Sequence, residues 1–206
     1  MILIILCVVK LNAADPSPQP SKQRVVIFGD SITAGYGVDA AEAYPSLLQQ
    51  KIDSEGLRYL IVNAGVSGDT TSGGLRRVDW ILRQPADVFV LALGGNDGLR
   101  GVAPALTRSN LTAILSRVQT RYPKVRLVLA GMQMPPNMGA DYTEEFRALF
   151  PQVAKDQGTA LIPFLLEGIG GKPEFNQPDL IHPTPIGHQK VAENVWQILK
   201  PLLTVR

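Results

Sequence analysis

Only two histidines occur in the 206 residues of this chain, so imidazole chemistry has few places to act. His182 stands in Asp179-Leu180-Ile181-His182-Pro183, with an acid three residues ahead of it. That acid can accept a hydrogen bond from one ring nitrogen and leave the other to take a proton. His188 falls inside the last helical pattern and reads as structural or surface-exposed. An oriented base can activate a hydroxyl nucleophile. Ser31, in Gly29-Asp30-Ser31-Ile32-Thr33, follows an apolar, β-branched run at a strand-to-helix turn. Its hydroxyl can face a cleft there, and its backbone N–H lies near a helix start, where anionic oxygen is favoured. Acyl transfer also needs donors aimed at a developing oxyanion. Gly68 can bring a backbone N–H close to a ligand, Asn96 can offer its side-chain amide, and the Ser31 N–H is a third candidate. Ordinary readings remain open for each: Ser31 as a helix N-cap, His182 as a loop residue beside a proline, Gly68 and Asn96 as turn residues.

These residues need elements to position them. Apolar periodicity predicts strands over 24–28, 58–62, 87–93, 125–130 and 159–164. It predicts helices over 43–54, 70–83, 104–121, 143–156 and 185–202, the second weakened by Gly73 and Gly74. Leu106, Leu111, Ile114, Leu115 and Val118 should share the inner face of the third helix. Val191, Val195, Ile198 and Leu199 should do so in the last. Strands alternating with helices imply an α/β protein whose parallel sheet is covered on both faces. No linker or repeat divides it, so a single domain is expected over 23–206. In open sheets of this kind ligands bind beyond the carboxyl ends of the strands. Three glycine-rich polar segments follow strands, at 29–31, 65–69 and 94–97, and should meet at that edge.

Composition removes several classes. The chain is 45% hydrophobic and 18% charged, with 20 basic against 18 acidic residues. A net charge of +2 without a long basic run gives no reason to expect a nucleic-acid partner. One cysteine and no His/Cys cluster leave nothing to start a zinc site, so metal-free chemistry is expected. A flavodoxin-type cofactor would need a phosphate cradle where Gly29-Asp30-Ser31 places an acid. Met1 to Val9 is almost wholly apolar, Asn12-Ala13-Ala14 follows, and Asp15 to Lys22 is rich in Pro, Ser and Gln. Residues 1–22 therefore read as a secretory signal and linker, which predicts a periplasmic or secreted protein. The alternative is an apolar N-terminal strand or helix, since a charged segment ahead of the run is missing and Lys10 follows it directly.

In combination, the blocks Gly29-Asp30-Ser31-Ile32-Thr33, Asn63-Ala64-Gly65-Val66-Ser67-Gly68-Asp69-Thr70, Gly94-Gly95-Asn96-Asp97-Gly98-Leu99-Arg100-Gly101 and Asp179-Leu180-Ile181-His182-Pro183 resemble the SGNH (GDSL) hydrolase family. The look is closest to its bacterial thioesterase I, arylesterase and lysophospholipase branch. The resemblance implies a flavodoxin-like three-layer α/β/α sandwich with a five-stranded parallel sheet. It also implies an ester or thioester hydrolase working through an acyl-enzyme on Ser31. His182 would be base and then acid, Asp179 its orienter, and Ser31 N–H, Gly68 N–H and Asn96 the oxyanion hole. No cofactor and no obligatory protein partner are implied, only a small-molecule acyl ester or thioester. The Gly-x-Ser-x-Gly turn of α/β-hydrolases is not found around Ser31. Two rivals share the fold: a carbohydrate-ester deacetylase and a non-catalytic binding domain. The Met- and Pro-rich run from Met132 to Gly139 follows the fourth strand. Met134 and Pro135 are expected to line an acyl pocket, with Leu99 and Val102 on a mobile opposite wall; core filling is the competing reading.

Overall fold

The computed structural model describes residues 21–204, so the export-signal reading of 1–22 lies outside them except for its last two positions. Five strands form one sheet: β1 Gln23–Gly29, β2 Tyr59–Gly65, β3 Val88–Ala92, β4 Arg126–Ala130 and β5 Ala160–Ile162. All pairings are parallel and the order is β2-β1-β3-β4-β5. Parallel neighbours need crossovers, and these are helical: α1 Ser31–Ala34, α2 Tyr44–Ser54, α3 Thr71–Ile81, α4 Gly95–Leu99, α5 Pro104–Arg121 and α6 Ala140–Gln157, with α7 Pro185–Thr204 following the last strand. Helix α2 packs with α7, and α5 packs with both α3 and α6. The result is a three-layer α/β/α sandwich.

Burial on both faces explains why the inner strands β1, β3 and β4 read as continuous apolar runs. All of β3 is buried, as is β1 from Val25 onward. Phe28, Phe89, Phe146 and Phe150 are fully buried within that core. Each such side chain contributes roughly 1.5–3 kcal/mol over its exposed form. Among the described residues, no helix is long and apolar enough to cross a membrane.

Differences from the sequence expectation have local causes. Strand β2 runs three residues further than expected, because its pairing with β1 continues as far as Gly29 opposite Gly65. Strand β5 is short and stops before Pro163, which has no N–H to offer a ladder. Leu106 is 49% exposed, not inward-facing, although Leu111, Ile114, Leu115 and Val118 are all fully buried. Helix α4 was not expected at all, since three glycines in Gly94-Gly95-Asn96-Asp97-Gly98 argue for a loop. The Asp97 carboxylate, buried, holds that turn by accepting the Thr71 N–H at 2.8 Å and the Thr71 hydroxyl. His188 is buried, as one of the two expectations for it had it, and its Nδ1 accepts the Tyr44 N–H at 3.2 Å. Burial, with the charge of His182, pushes its pKa down to about 4, so it is a neutral structural group.

Candidate active site

The register brings the three loops together. Gly29 at the end of β1 pairs with Gly65 of β2 and with Ala92 of β3, so these strands finish level. The chain then enters Asp30-Ser31, Val66 to Thr70, and Leu93 to Asn96 at one edge of the sheet. In the order 2-1-3-4-5 the crossover direction reverses between β1 and β3, which is where such sheets open a crevice.

Asp30, not Ser31, caps helix α1: its carboxylate accepts the Ile32 N–H at 3.0 Å. That removes the ordinary reading of the serine. Ser31 is instead the first helical residue, only 8% exposed, and its Oγ stands 2.9 Å from Nε2 of His182. The Ser31 N–H belongs to the first turn, where backbone donors have no intrahelical acceptor. Burial pushes the Asp30 carboxyl up to about 6, against the opposing pull of the Ile32 N–H and the charge of His182.

His182 is oriented from behind. Its Nδ1 lies 2.6 Å from Oδ2 of Asp179. The other oxygen, Oδ1, accepts the backbone N–H groups of Ile181 at 2.9 Å and His182 at 3.0 Å. Burial would raise the Asp179 pKa, but the hydrogen bonds from the His182 ring and these two N–H groups prevail and hold it below the usual value. An ionised carboxylate only accepts, so Nδ1 carries the proton and Nε2 presents its lone pair to the Ser31 hydroxyl.

The loop pays a conformational cost for this arrangement. Leu180 has φ of 59°, the sole non-glycine positive φ among the described residues. The Gln177 N–H closes the loop onto the His182 carbonyl at 2.7 Å, and Gln177 Nε2 ties it to the Tyr36 carbonyl at 2.8 Å. The Tyr36 ring lies 4.7 Å from the imidazole and is 53% exposed.

The two expected oxyanion donors sit side by side, Gly68 in the loop after β2 and Asn96 in the first turn of α4. Gly68 has φ of 77°, a conformation that L side chains rarely adopt. Its carbonyl accepts from Arg100 Nη2 at 3.1 Å. Asn96, in helix α4, donates from Nδ2 to the carbonyl of Asp69 at 2.9 Å. An amide nitrogen carries two hydrogens, so this bond aims Asn96 and leaves one donor for a ligand.

A cleft of about 290 Å³ opens beside Ser31, lined by Ile32, Leu99, Met132, Met134, Pro135, Leu180 and Ile181 among others. Leu99, Met134 and Pro135, the residues expected at an acyl pocket, line this cleft. Met132 does both jobs that were weighed, lining the cleft while belonging to the buried core. Val102 does not line it: its carbonyl is turned instead to the Tyr142 hydroxyl, at 2.9 Å. Phe164, Leu166, Leu180 and Ile181 line the cleft but were missed. Two signals could have found them: an apolar pair inside Asp-x-x-His, and an apolar run continuing past the last strand at the same sheet edge. Among the described residues, no group of three or more His, Cys, Asp or Glu side chains could hold a metal ion.

Fold and site together define a class: a three-layer α/β/α protein with a serine, an imidazole and a carboxylate in hydrogen-bonded line at the crevice of its sheet. The chain belongs to the GDSL-like lipase/acylhydrolase family, whose model matches residues 27–190. It is 44% identical over 187 residues to esterase TesA of Pseudomonas aeruginosa, covering 90% of this chain and 92% of that one. It is 36% identical over 203 residues to thioesterase 1/protease 1/lysophospholipase L1 of Escherichia coli, covering 98% and 91%. The crystal structure of TesA superimposes with a TM-score of 0.84 at 42% identity, covering 88% of this chain and all of that one.

Proposed function

We propose that this chain is a serine esterase that hydrolyses carboxylic esters or thioesters through an acyl-enzyme on Ser31. One observation carries the reading: the unbroken line from the Asp179 carboxylate through the His182 ring to the Ser31 hydroxyl, with contacts of 2.6 and 2.9 Å. His182 takes the Ser31 proton as Oγ attacks the carbonyl carbon. The tetrahedral oxyanion lies against the N–H groups of Ser31 and Gly68 and the Asn96 amide. The imidazolium returns the proton to the leaving alkoxide or thiolate. Water, deprotonated by the same ring, then attacks the acyl-enzyme and frees Ser31.

Asn96→Ala removes one donor and is expected to lower kcat about a hundredfold or more. Steady-state kinetics on a 4-nitrophenyl ester check this, and a near-wild-type rate would remove Asn96 from the mechanism. The apolar cleft beside Ser31 suits an apolar chain as the acid part of the ester, whereas an acetylated sugar offers only an acetyl group there, the sugar being the alcohol. A panel of 4-nitrophenyl esters of rising chain length, acyl-CoA, lysophospholipid and acetylated sugars tests the class. Turnover of aryl and acyl substrates is expected. Turnover of acetylated sugars alone would make the protein a deacetylase, and turnover of none a binding domain. Met134 packs its thioether against Gly98 of α4 and lines the cleft. Met134→Trp should therefore shift the preferred acyl length downward in that panel, and an unchanged profile would place the acyl chain elsewhere.

The run Met1 to Val9 and the small residues at Ala13-Ala14 support export, which would place the mature enzyme in the periplasm or outside the cell. N-terminal sequencing of the mature protein tests this; an intact Met1 would contradict it.

A further inference from the structure

Arg77 takes no part in the mechanism above, yet its guanidinium binds two strand-end carbonyls and the carboxylate beside Gly68. It lies in α3, and its Nη2 donates to the carbonyl of Gly29 at 3.0 Å, two residues before Ser31. From Nη1 it donates to the carbonyl of Ala64 at 3.0 Å, near the end of β2. Nε completes the set with Oδ2 of Asp69 at 2.6 Å, the residue after Gly68. The plane of the group rests on the Phe28 ring, 3.8 Å from its centroid. Its side chain is 22% exposed and that of Asp69 only 9%. The backbone carbonyl of Asp69 in turn receives the Asn96 amide at 2.9 Å. Helix α3 can lie this close because Gly74 has no side chain: a Cβ there would meet Leu93 and Phe28.

We infer that Arg77 is a positioning residue of the oxyanion hole, fixing the Gly68–Asp69 turn and, through it, Asn96 at a set distance from the nucleophile's strand end. The inference rests on the oxyanion-hole reading of Gly68 and Asn96. A planar fork with donors in fixed directions suits this task, because it links three acceptors at once. Lysine would keep the charge beside Asp69 but cannot hold both strand-end carbonyls in the same plane. Loosening the turn displaces donors that matter most when charge develops on the carbonyl oxygen. The loss should therefore fall on kcat and spare KM.

The test compares Arg77→Lys, Asp69→Asn, Asn96→Ala and the Arg77→Lys/Asn96→Ala double variant, with rates per active site titrated by a fluorophosphonate. Arg77→Lys is expected to lower kcat about a hundredfold with KM for a short aryl ester within about threefold. Asp69→Asn should move in the same direction by less. The double variant should be slower than Asn96→Ala by well under the loss that Arg77→Lys causes alone, because Arg77 acts partly through the Asn96 amide and only the displaced Gly68 N–H remains to be lost. A residue that served only stability would lower Tm but leave kcat per titrated site unchanged, and a residue acting apart from these donors would give a loss that multiplies in full with that of Asn96→Ala; either result overturns the inference. A full rate for Asn96→Ala would instead overturn the oxyanion-hole reading itself, which separates the two failures.

Discussion

Ser31→Ala is expected to lower kcat on the order of a million-fold while leaving the protein folded. The hydroxyl is the nucleophile, and no second one stands beside His182 Nε2 among the described contacts. What survives is binding in the cleft and the oxyanion donors, which alone give a small acceleration over water. The substitution is gentle on the fold. Ser31 occupies the first position of α1, alanine is a good helix former, and the side chain's recorded partner is the imidazole. The Tm should therefore stay within a few degrees of wild type. Activity and thermal unfolding measured on the same preparation check both halves. A variant retaining even one part in a hundred of wild-type kcat, on the order of the loss of a single donor, would contradict covalent catalysis at this residue.

The second large effect is expected from Asp179→Asn, at about 10⁴-fold in kcat. The geometry decides which way the new amide turns. Oδ1 of Asp179 already accepts two backbone N–H groups, from Ile181 and His182. An asparagine must keep its carbonyl oxygen there, which places its NH₂ where Oδ2 now faces Nδ1 of His182. The amide then donates to Nδ1, and the ring proton moves to Nε2. An Nε2 that carries a proton cannot take one from Ser31. The loss is thus one of tautomer, and not of fold or of substrate binding, so KM should change little. Steady-state kinetics check it, and a fall of less than tenfold would mean that Asp179 does not set the tautomer.

How much of this was legible in the sequence depended on the kind of residue. Ser31, His182 and Asp179 could be read because their chemistry is scarce: two histidines, one with an acid three residues before it. Their meeting could not be read from spacing, since Ser31 and His182 are 151 residues apart. Strand order brings them together, and the ordered blocks stood in for that information. The inner strands of the sheet were legible because strands buried on both faces are apolar throughout, and the edge strands by their β-branched and apolar runs. Helix α4 was hidden because tertiary bonds from Thr71 to Asp97 override a glycine-rich local preference. Leu106 misled because a leucine near a helix start satisfied the apolar pattern while pointing to solvent. Arg77 and Tyr36 were invisible for a different reason. An arginine on a helix and a tyrosine after a glycine carry no local mark of what they touch, and their partners lie on other segments.

The most direct measurement is site-mapped labelling by a fluorophosphonate, followed by peptide mass spectrometry. The reagent reacts far faster with a serine hydroxyl that a base has activated than with other hydroxyls. One adduct per chain is expected, on the peptide containing Ser31, formed at the rate at which activity is lost and not formed in His182→Ala. An unlabelled chain, or an adduct formed at that rate on another residue instead, would contradict catalysis at Ser31.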